Sequence, residues 1–319
     1  MGEFDLIDRY FKRPVTRNPL GIGDDCALLA PGAGMQLAVS SDMLVEGRHF
    51  LSTVDPFRLG HKALAVNLSD LAACGARPLA FTLALSMPQA EEAWLEPFSR
   101  GLLALADAHG CELVGGDTTR GPLTICITVF GEVPTGQALL RSGARAGDDI
   151  YASGTLGEAR LALEAFRGAV SLPAEVFEAA RARMEQPAPR VALGEALRGV
   201  AGAAIDVSDG LLGDLGHILR GSGVGARIET ALAIGLMHPA CATVLGEERR
   251  LEYVLAGGDD YELLFTAPPG AAQAVRHAAA QARTPVTRIG SIEAAPGLRL
   301  VDGAGRLLER RYGSFDHFA

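Results

Sequence analysis

The chain has 319 residues, of which 48% are hydrophobic and 21% are charged, and its formal net charge is -9. This length and composition predict two folded domains of ordinary size and exclude a mainly disordered chain. The acidic balance disfavours nucleic acid as the main partner. It would also repel a phosphorylated substrate unless bound cations reverse the local field.

The sequence near the N-terminus carries early acids, Glu3 and Asp5, rather than a basic export signal. The apolar stretch from Ala63 is interrupted by Asn67 and Asp70, which disfavours a membrane span. Five cysteines without a Cys-x-x-Cys pair favour reduced thiols over a disulfide framework or a zinc site. We therefore expect a cytoplasmic protein that does not bind a membrane.

Helices and strands are both predicted in the N-terminal part. Asp55 followed by Pro56 is typical of a helix start, and the apolar pattern continues to Gly75. A second helix is predicted over 89–109, with Gly110 as its stop. Strands are expected at 37–41, 79–86, 111–114 and 123–133.

A connection between domains is predicted between Val133 and Asp148, where proline, glycine and arginine are concentrated. We place an N-terminal domain at 1–137 and a C-terminal domain at 138–319. In the second domain, strands are expected near 150–152, 203–206, 226–229, 262–266 and 286–289. Helices are expected near 158–166 and 174–184 and directly after Gly210. The predicted fold class is α/β (α+β), with two domains.

Aspartate recurs inside glycine- and serine-rich turns along the whole chain. The turns are Gly23-Asp24-Asp25, Ser40-Ser41-Asp42, Leu68-Ser69-Asp70, Gly115-Gly116-Asp117, Asp206-Val207-Ser208-Asp209 and Gly258-Asp259-Asp260. Carboxylates are ligands that Mg²⁺ prefers, and glycine lets the backbone approach a polyphosphate closely. Only two lysines occur and neither follows a glycine, so the Gly-Lys-Ser/Thr phosphate loop is absent. The pattern therefore predicts Mg²⁺-dependent binding of a nucleotide without this type of phosphate loop.

Each of these motifs also has a simpler structural explanation. Asp70 lies on the apolar face of a predicted helix, where Lys62 or a loop amide could satisfy it instead of a metal. Ser208 or Asp209 could cap a helix, and Asp259 could belong to a hairpin turn. The glycines before Asp117 follow a short predicted strand and could form a tight turn. The convergence of six such motifs on one chemistry is what favours a site.

At these motifs the chain resembles the thiamine-monophosphate kinase family, within the superfamily that includes aminoimidazole ribonucleotide synthetase and selenophosphate synthetase. The resemblance is carried by Gly21-Ile22-Gly23-Asp24-Asp25, Asn67-Leu68-Ser69-Asp70, Gly115-Gly116-Asp117-Thr118-Thr119, Asp206-Val207-Ser208-Asp209-Gly210 and Phe315-Asp316-His317-Phe318. It covers nearly the whole chain. It implies the two-domain fold of aminoimidazole ribonucleotide synthetase, with a homodimer formed through a mixed sheet of the N-terminal domain. It also implies phosphoryl transfer from ATP to thiamine monophosphate, with thiamine diphosphate and ADP as products.

The resemblance implies a role for individual residues by motif matching. Several Mg²⁺ ions would be bound by acidic and serine residues, namely Asp25, Ser40, Ser41, Asp42, Asp70, Asp117, Asp206 and Asp209. ATP would contact Gly116, Asp117, Arg141 and Ser208, and the thiamine substrate would contact His49, Asp259 and Phe315. The catalytic residues would be Asp42, Asp70, Asp206 and Arg141. The family usually has glutamate at the position of Asp259 and often tyrosine or tryptophan at that of Phe315.

The implied reaction is a direct in-line attack by the acceptor phosphate on the γ-phosphorus. A terminal phosphate has a second pKa of about 6, so it needs no strong general base, and none is evident in the sequence. Two alternatives remain open. One is another ATP-dependent reaction of the superfamily, and the other is a non-catalytic magnesium-nucleotide sensor or a Ca²⁺-stabilised structural protein.

Overall fold

The computed structural model describes residues 3–23, 26–309 and 312–313. The chain divides into two compact units. The first consists of Met1–Leu71 with Ala76–Gly136, and the second of Ala72–Gly75 with Gln137–Ala319. Within the described ranges, no helix is both long and apolar enough to cross a membrane.

A four-stranded mixed sheet forms the centre of the N-terminal unit, in the order β1-β4-β2-β3. Its strands are β1 (Met35–Val45), β2 (Arg77–Met87), β3 (Glu112–Arg120) and β4 (Thr124–Pro134). Strand β4 is antiparallel to β1 and β2, whereas β3 is parallel to β2. The mixed sheet implied by the resemblance is confirmed.

The helices of the N-terminal unit are α1 (Glu3–Leu6), continued by a π-helical turn (Ile7–Phe11), α2 (Pro56–Ala73) and α3 (Glu92–His109). The predicted start of α2 at Pro56 is confirmed. Helix α3 ends at the predicted stop, because Gly110 adopts a left-handed conformation with φ 59°. The two long helices approach closely: a Cβ added to Gly60 would lie 2.1 Å from the carbonyl oxygen of Phe98.

Alternation along the strands gives the sheet two different faces. On β4, Ile125, Ile127 and Val129 are at most 1% exposed and belong to the core, as do Leu64 and Leu68 of α2. On the edge strand β1, residues 37, 39, 41 and 43 are exposed, whereas 40, 42 and 44 are partly or fully buried. Residues Ser40 and Asp42 therefore lie on the opposite side of β1 from the exposed apolar side chains.

Strand β3 differs from the prediction. The expected strand at 111–114 continues to Arg120, so the glycine- and aspartate-containing motif lies within a strand rather than after one. The pairing with β2 shifts between Phe81 and Thr82, so that one residue of β3 bulges out of register. Glycine is required at 116, since its φ is 149° and an added Cβ would lie 1.9 Å from the carbonyl oxygen of Leu83.

The C-terminal unit is built on a six-stranded mixed sheet in the order β10-β7-β9-β5-β8-β6. Its strands are β5 (Asp149–Ser153), β6 (Ala203–Asp206), β7 (Gly225–Glu229), β8 (Leu263–Ala267), β9 (Val286–Glu293) and β10 (Gly297–Val301). Strands β7 and β10 are parallel, and the other pairs are antiparallel. Strand β10 corresponds to none of the predicted strands, so the sequence analysis missed it.

The helices of this unit are α4 (Glu158–Phe166), α5 (Ala174–Glu185), α6 (Val191–Ala196), α7 (Leu211–Ser222), α8 (Thr230–Ala233), α9 (Pro239–Ala242), α10 (Glu247–Ala256) and α11 (Ala272–Gln281). Helices α4, α5 and α7 were predicted. Their apolar sides join the strands in one core that includes Leu161, Leu215, Ile218 and Ile205. The predicted α/β (α+β) class is confirmed for both units.

Candidate functional site

In the N-terminal unit, an aspartate of the edge strand β1 faces an aspartate of the covering helix α2. Asp42 is partly buried, and its carboxyl group interacts with that of Asp70 through charge and through a hydrogen bond. The hydroxyl of Ser40, on the same side of β1, donates a hydrogen bond to Oδ2 of Asp70. The structure thus brings together Ser40, Asp42 and Asp70, which the sequence had assigned to metal binding.

Asn67 fixes α2 against β1 at this position. Its Oδ1 accepts the backbone N–H of Asp42 at 3.1 Å, and its Nδ2 donates to the carbonyl oxygen of Ala63 at 3.1 Å. The side chain is fully buried. Sequence analysis did not identify Asn67 as part of the site, although it precedes Asp70 by one helical turn and so shares its face.

The pair Asp42 and Asp70 is electrostatically unfavourable on its own. The pKa of Asp42 is raised to about 6, mainly by burial, and the neighbouring charge of Asp70 and a hydrogen bond to it act in the same direction. Opposed carboxylates of this kind suit Mg²⁺, which is commonly bound by one or two protein carboxylates together with substrate phosphates. Among the residues that the structure describes, no group of three or more His, Cys, Asp or Glu side chains could hold a metal ion. A pair of carboxylates would leave the other positions around such a cation to phosphate oxygens and water.

Ser41 and Asp117 are placed elsewhere in the unit. The hydroxyl of Ser41 is exposed on the other face of β1 and donates to the carbonyl oxygen of Ile127 at 3.1 Å. Asp117 lies on β3 at the far edge of the sheet, about 14 Å from β1 for three strand spacings. The structure therefore does not bring Asp117 together with Asp42.

A cavity of about 290 Å³ lies against the motif on β3. Its lining includes Gly115, Gly116 and Asp117, together with Gly23 and Cys26 from the segment that contains two predicted motif aspartates. Asp24 and Asp25 themselves lie outside the described residues. The glycine-rich turn before them and the β3 motif thus line one cavity, which is a candidate for part of a nucleotide site.

His49 lies in the turn that follows β1. Its Nδ1 accepts the backbone N–H of Val45 at 3.0 Å. In the neutral ring the proton is therefore on Nε2.

In the C-terminal unit, the predicted ligands Asp206, Ser208 and Asp209 lie where β6 leads into α7. Asp206 is the last residue of the strand and is only 5% exposed. The N-cap residue of α7 is Gly210 rather than Ser208 or Asp209. The alternative explanation, capping by Ser208 or Asp209, is therefore wrong.

A carboxylate that sequence analysis missed binds the backbone of this loop. Oδ2 of Asp214 accepts the N–H groups of Ser208 and Asp209, both at 3.1 Å. The pKa of Asp214 is raised to about 7, mainly by burial and also by the charge of Asp209, although hydrogen bonds from the backbone partly offset both effects. An acidic residue in the first turn of a helix was the available signal.

The loop that contains Asp259 is hydrogen-bonded to the same segment. The N–H of Asp259 donates to the carbonyl oxygen of Ser208 at 2.7 Å, and that of Tyr261 donates to the carbonyl oxygen of Val207 at 2.8 Å. Asp259 and Tyr261 have φ values of 63° and 52°, which non-glycine residues rarely adopt. This loop follows α10 and precedes β8, so the hairpin alternative is wrong. The structure brings Ser208 and Asp259 together.

Glu262 anchors the end of this loop. It is fully buried, and its carboxylate accepts hydrogen bonds from Arg183 at 2.7 Å, from Arg190 at 2.6 Å and from Ser153. Its carbonyl oxygen accepts the N–H of Val207 at 2.8 Å. A buried carboxylate paired with two guanidinium groups is costly to disrupt, so the unusual backbone of the loop is firmly held.

Arg141 lies beside α7 and is exposed. Its carbonyl oxygen accepts the hydroxyl of Ser222 at 3.4 Å. Burial lowers the pKa of His217, as do the charges of Arg220 and Arg141, whereas Asp209 acts in the opposite direction. The charges of Arg141 and Asp209 therefore both act on the same residue of α7, His217. The remaining predicted substrate residue, Phe315, lies outside the described residues.

Two family models match the chain. The AIR synthase related protein N-terminal domain matches residues 23–133, and the AIR synthase related protein C-terminal domain matches residues 145–303. The two matches span most of the sequence. The protein therefore belongs to the AIR synthase related family.

Comparison with full-length proteins narrows this assignment. A thiamine-monophosphate kinase of Escherichia coli (strain K12) is 45% identical, and the match covers 100% of this chain and 98% of the relative. The crystal structure of thiamine-monophosphate kinase from Stenotrophomonas maltophilia K279a is 47% identical with a TM-score of 0.86, covering 94% of this chain and 96% of the other. The structure of AaThiL complexed with AMPPCP and TMP is 29% identical with a TM-score of 0.78, covering 99% and 97%. Within the AIR synthase related proteins, the chain is a member of the thiamine-monophosphate kinase family.

The carboxylate pair predicts that loss of Asp70 stabilises the metal-free protein. The pKa of Asp42 is raised from 3.8 to about 6, so the metal-free fold loses stability as the pH rises between these values. In Asp70→Asn the repulsion is absent, and we expect the free energy of unfolding at neutral pH to increase by about 1 kcal/mol. Urea unfolding in a chelating buffer measures this change.

Asp302→Asn is a suitable control, because Asp302 lies in an exposed turn of the C-terminal unit. We expect no gain in stability for this variant. A metal-free Asp70→Asn protein that is less stable than the wild type would contradict the account of the pair.

Proposed function

We propose that the chain transfers the γ-phosphoryl group of ATP to thiamine monophosphate and releases thiamine diphosphate and ADP. Membership of the thiamine-monophosphate kinase family supports this reaction. The observation that carries the proposal within the structure is the opposed pair Asp42 and Asp70, which favours a cation at neutral pH. The complex of AaThiL with AMPPCP and TMP supports a site that accepts a nucleotide and a second phosphorylated ligand.

Mg²⁺ is the cation that we propose, bound by Asp42 and Asp70 with Ser40 beside them. When bound, it would offset the repulsion between two anionic substrates and the charge that develops on the leaving phosphate. Asp25, Ser41, Asp117, Asp206 and Asp209 remain predicted ligands. Of these, Asp206 is the last residue of the buried strand β6, which leads into α7.

The chain's own residues would then bind and orient the substrates. An oxygen of the acceptor phosphate attacks the γ-phosphorus, and the bond to the oxygen that bridges the β- and γ-phosphates breaks. We propose that Gly116 and Asp117 contact ATP at the 290 Å³ cavity, and that Ser208 and Arg141 are further ATP contacts. For the acceptor, we propose contacts with Asp259, with Phe315 and with His49.

The compartment and the assembly are also proposals. All five cysteines are free thiols, which is typical of a reducing compartment such as the cytoplasm. For the assembly we propose a homodimer formed through the open face of the N-terminal sheet. Leu37, Val39 and Met43 are 47%, 58% and 55% exposed on one side of the edge strand β1. A row of exposed apolar side chains on an edge strand is typical of an interface.

The reaction is tested by incubating the protein with ATP, Mg²⁺ and thiamine monophosphate and quantifying both products. We expect thiamine diphosphate and ADP in equal amounts. Asp70→Asn should lower the rate at least about a hundredfold, because the cation loses a ligand. Asp302→Asn should retain the wild-type rate.

Other outcomes separate the alternatives. ATP hydrolysis without thiamine diphosphate would favour another ATP-dependent reaction of the superfamily. Binding of ATP with no consumption would favour a sensor. Either result would falsify the proposed kinase reaction.

The dimer is tested by measuring the mass in solution. We expect a particle of twice the chain mass of 33.3 kDa. Val39→Lys should shift the protein toward the monomer, because a charge buried in an apolar interface is costly. Leu307→Lys, at a position that is 64% exposed in the C-terminal unit, is the matched control and should leave the mass unchanged. A wild-type protein that is monomeric at micromolar concentration would overturn the proposal.

A further inference from the structure

The loop at residues 206–210 contains two predicted metal ligands, Asp206 and Asp209, and a predicted ATP contact, Ser208. Backbone N–H groups of this loop point toward a single carboxylate. The N–H groups of Ser208 and Asp209 donate to Oδ2 of Asp214 at 3.1 Å each. The N–H of Gly210 also interacts with this carboxylate. Asp214 is the fourth residue of α7 and is 3% exposed.

Successive backbone N–H groups at the start of a helix form a concavity that binds anions, and in many proteins a substrate phosphate occupies it. In this chain the concavity is filled by the carboxylate of Asp214. The N–H groups of residues 208–210 already donate to the carboxylate of Asp214. They therefore do not need a substrate phosphate as an acceptor. The side chains of Ser208 and Asp209 are half-buried rather than enclosed, and they remain for contact with a ligand.

We propose that Asp214 is a positioning residue for nucleotide binding. It turns the backbone N–H groups of the 206–210 loop toward the helix, so that the loop meets the nucleotide through the side chains of Ser208 and Asp209. This role rests on the proposed kinase function. Asp214 itself does not contact the nucleotide.

The other side of the loop is held independently of Asp214. The carbonyl oxygens of Val207 and Ser208 accept N–H groups of Tyr261 and Asp259 at 2.8 and 2.7 Å. Loss of Asp214 therefore releases the N–H side of the loop while the carbonyl side stays attached to the neighbouring loop. We expect a change in ligand binding in a protein that still folds.

The experiment is calorimetric binding of a non-hydrolysable ATP analogue with Mg²⁺, without the acceptor substrate. Asp214→Ala should weaken binding by at least about tenfold, because the N–H groups of residues 208–210 lose their acceptor and the loop changes orientation. Asp214→Asn keeps the shape and a weaker acceptor oxygen, and should recover part of the loss. In steady-state assays the KM for ATP should rise by a similar factor.

Asp302→Ala is the matched control. Oδ1 of Asp302 also accepts two backbone N–H groups of its own turn, from Ala304 and Arg306, both at 2.9 Å. This turn follows β10, at the opposite edge of the sheet from β6. Asp302→Ala should bind the analogue as tightly as the wild type does, even if its unfolding temperature falls.

Binding by Asp214→Ala within about twofold of the wild type would overturn the assignment, as would an equal loss in Asp302→Ala. If Asp214→Ala does not fold, Asp214→Asn decides: weaker binding with a native circular dichroism spectrum supports the role, and unchanged binding overturns it. If the wild type itself does not bind the analogue, the proposed kinase function fails together with this assignment. If Asp214→Ala binds as the wild type does, or if Asp302→Ala loses as much, only the assignment of Asp214 fails and the proposed kinase function is unaffected.

Discussion

Two carboxylates are held face to face in the N-terminal unit, and this arrangement is the constraint on which the site depends. Asp42 could avoid Asp70 if β1 and α2 were free to move apart. Asn67 prevents this, because its amide group joins the backbone of Asp42 to that of α2 at 3.1 Å on each side. The helix is in turn held by a core of leucines and by close helix packing at Gly60. The fold thus holds the two carboxylates in an electrostatically unfavourable arrangement, which a divalent cation would relieve.

The C-terminal unit positions its aspartates by a different means. There the backbone itself is fixed, by hydrogen bonds between the 206–210 loop and the segment that contains Asp259. Asp214 accepts the backbone N–H of Ser208. Glu262 is buried between Arg183 and Arg190, and its carbonyl oxygen accepts the N–H of Val207. The two carboxylates that hold the backbone, Asp214 and Glu262, are buried, whereas Asp209 and Asp259 are half-buried beside them.

Sequence alone identified the residues whose pattern is local. Asp70 was singled out because it interrupts an apolar helical face, and the helix around it begins at Pro56 as predicted. The course of β3 was missed, because a segment rich in glycine and threonine becomes a strand only by pairing with β2. Asp214 was missed for a similar reason, since its partners are defined by the path of the loop before α7. Whether Asp117 acts with Asp42 could not be read from sequence, because strand order places them at opposite edges.

The most direct test of the carboxylate pair is the number of protons released when Mg²⁺ binds. Calorimetry near pH 6 in buffers of different ionisation enthalpy gives this number. Because the pKa of Asp42 is about 6, we expect about half a proton to be released per site, and none in Asp42→Asn. Mg²⁺ binding without proton release, or with the same release in Asp42→Asn, would show that the cation does not bind at this pair.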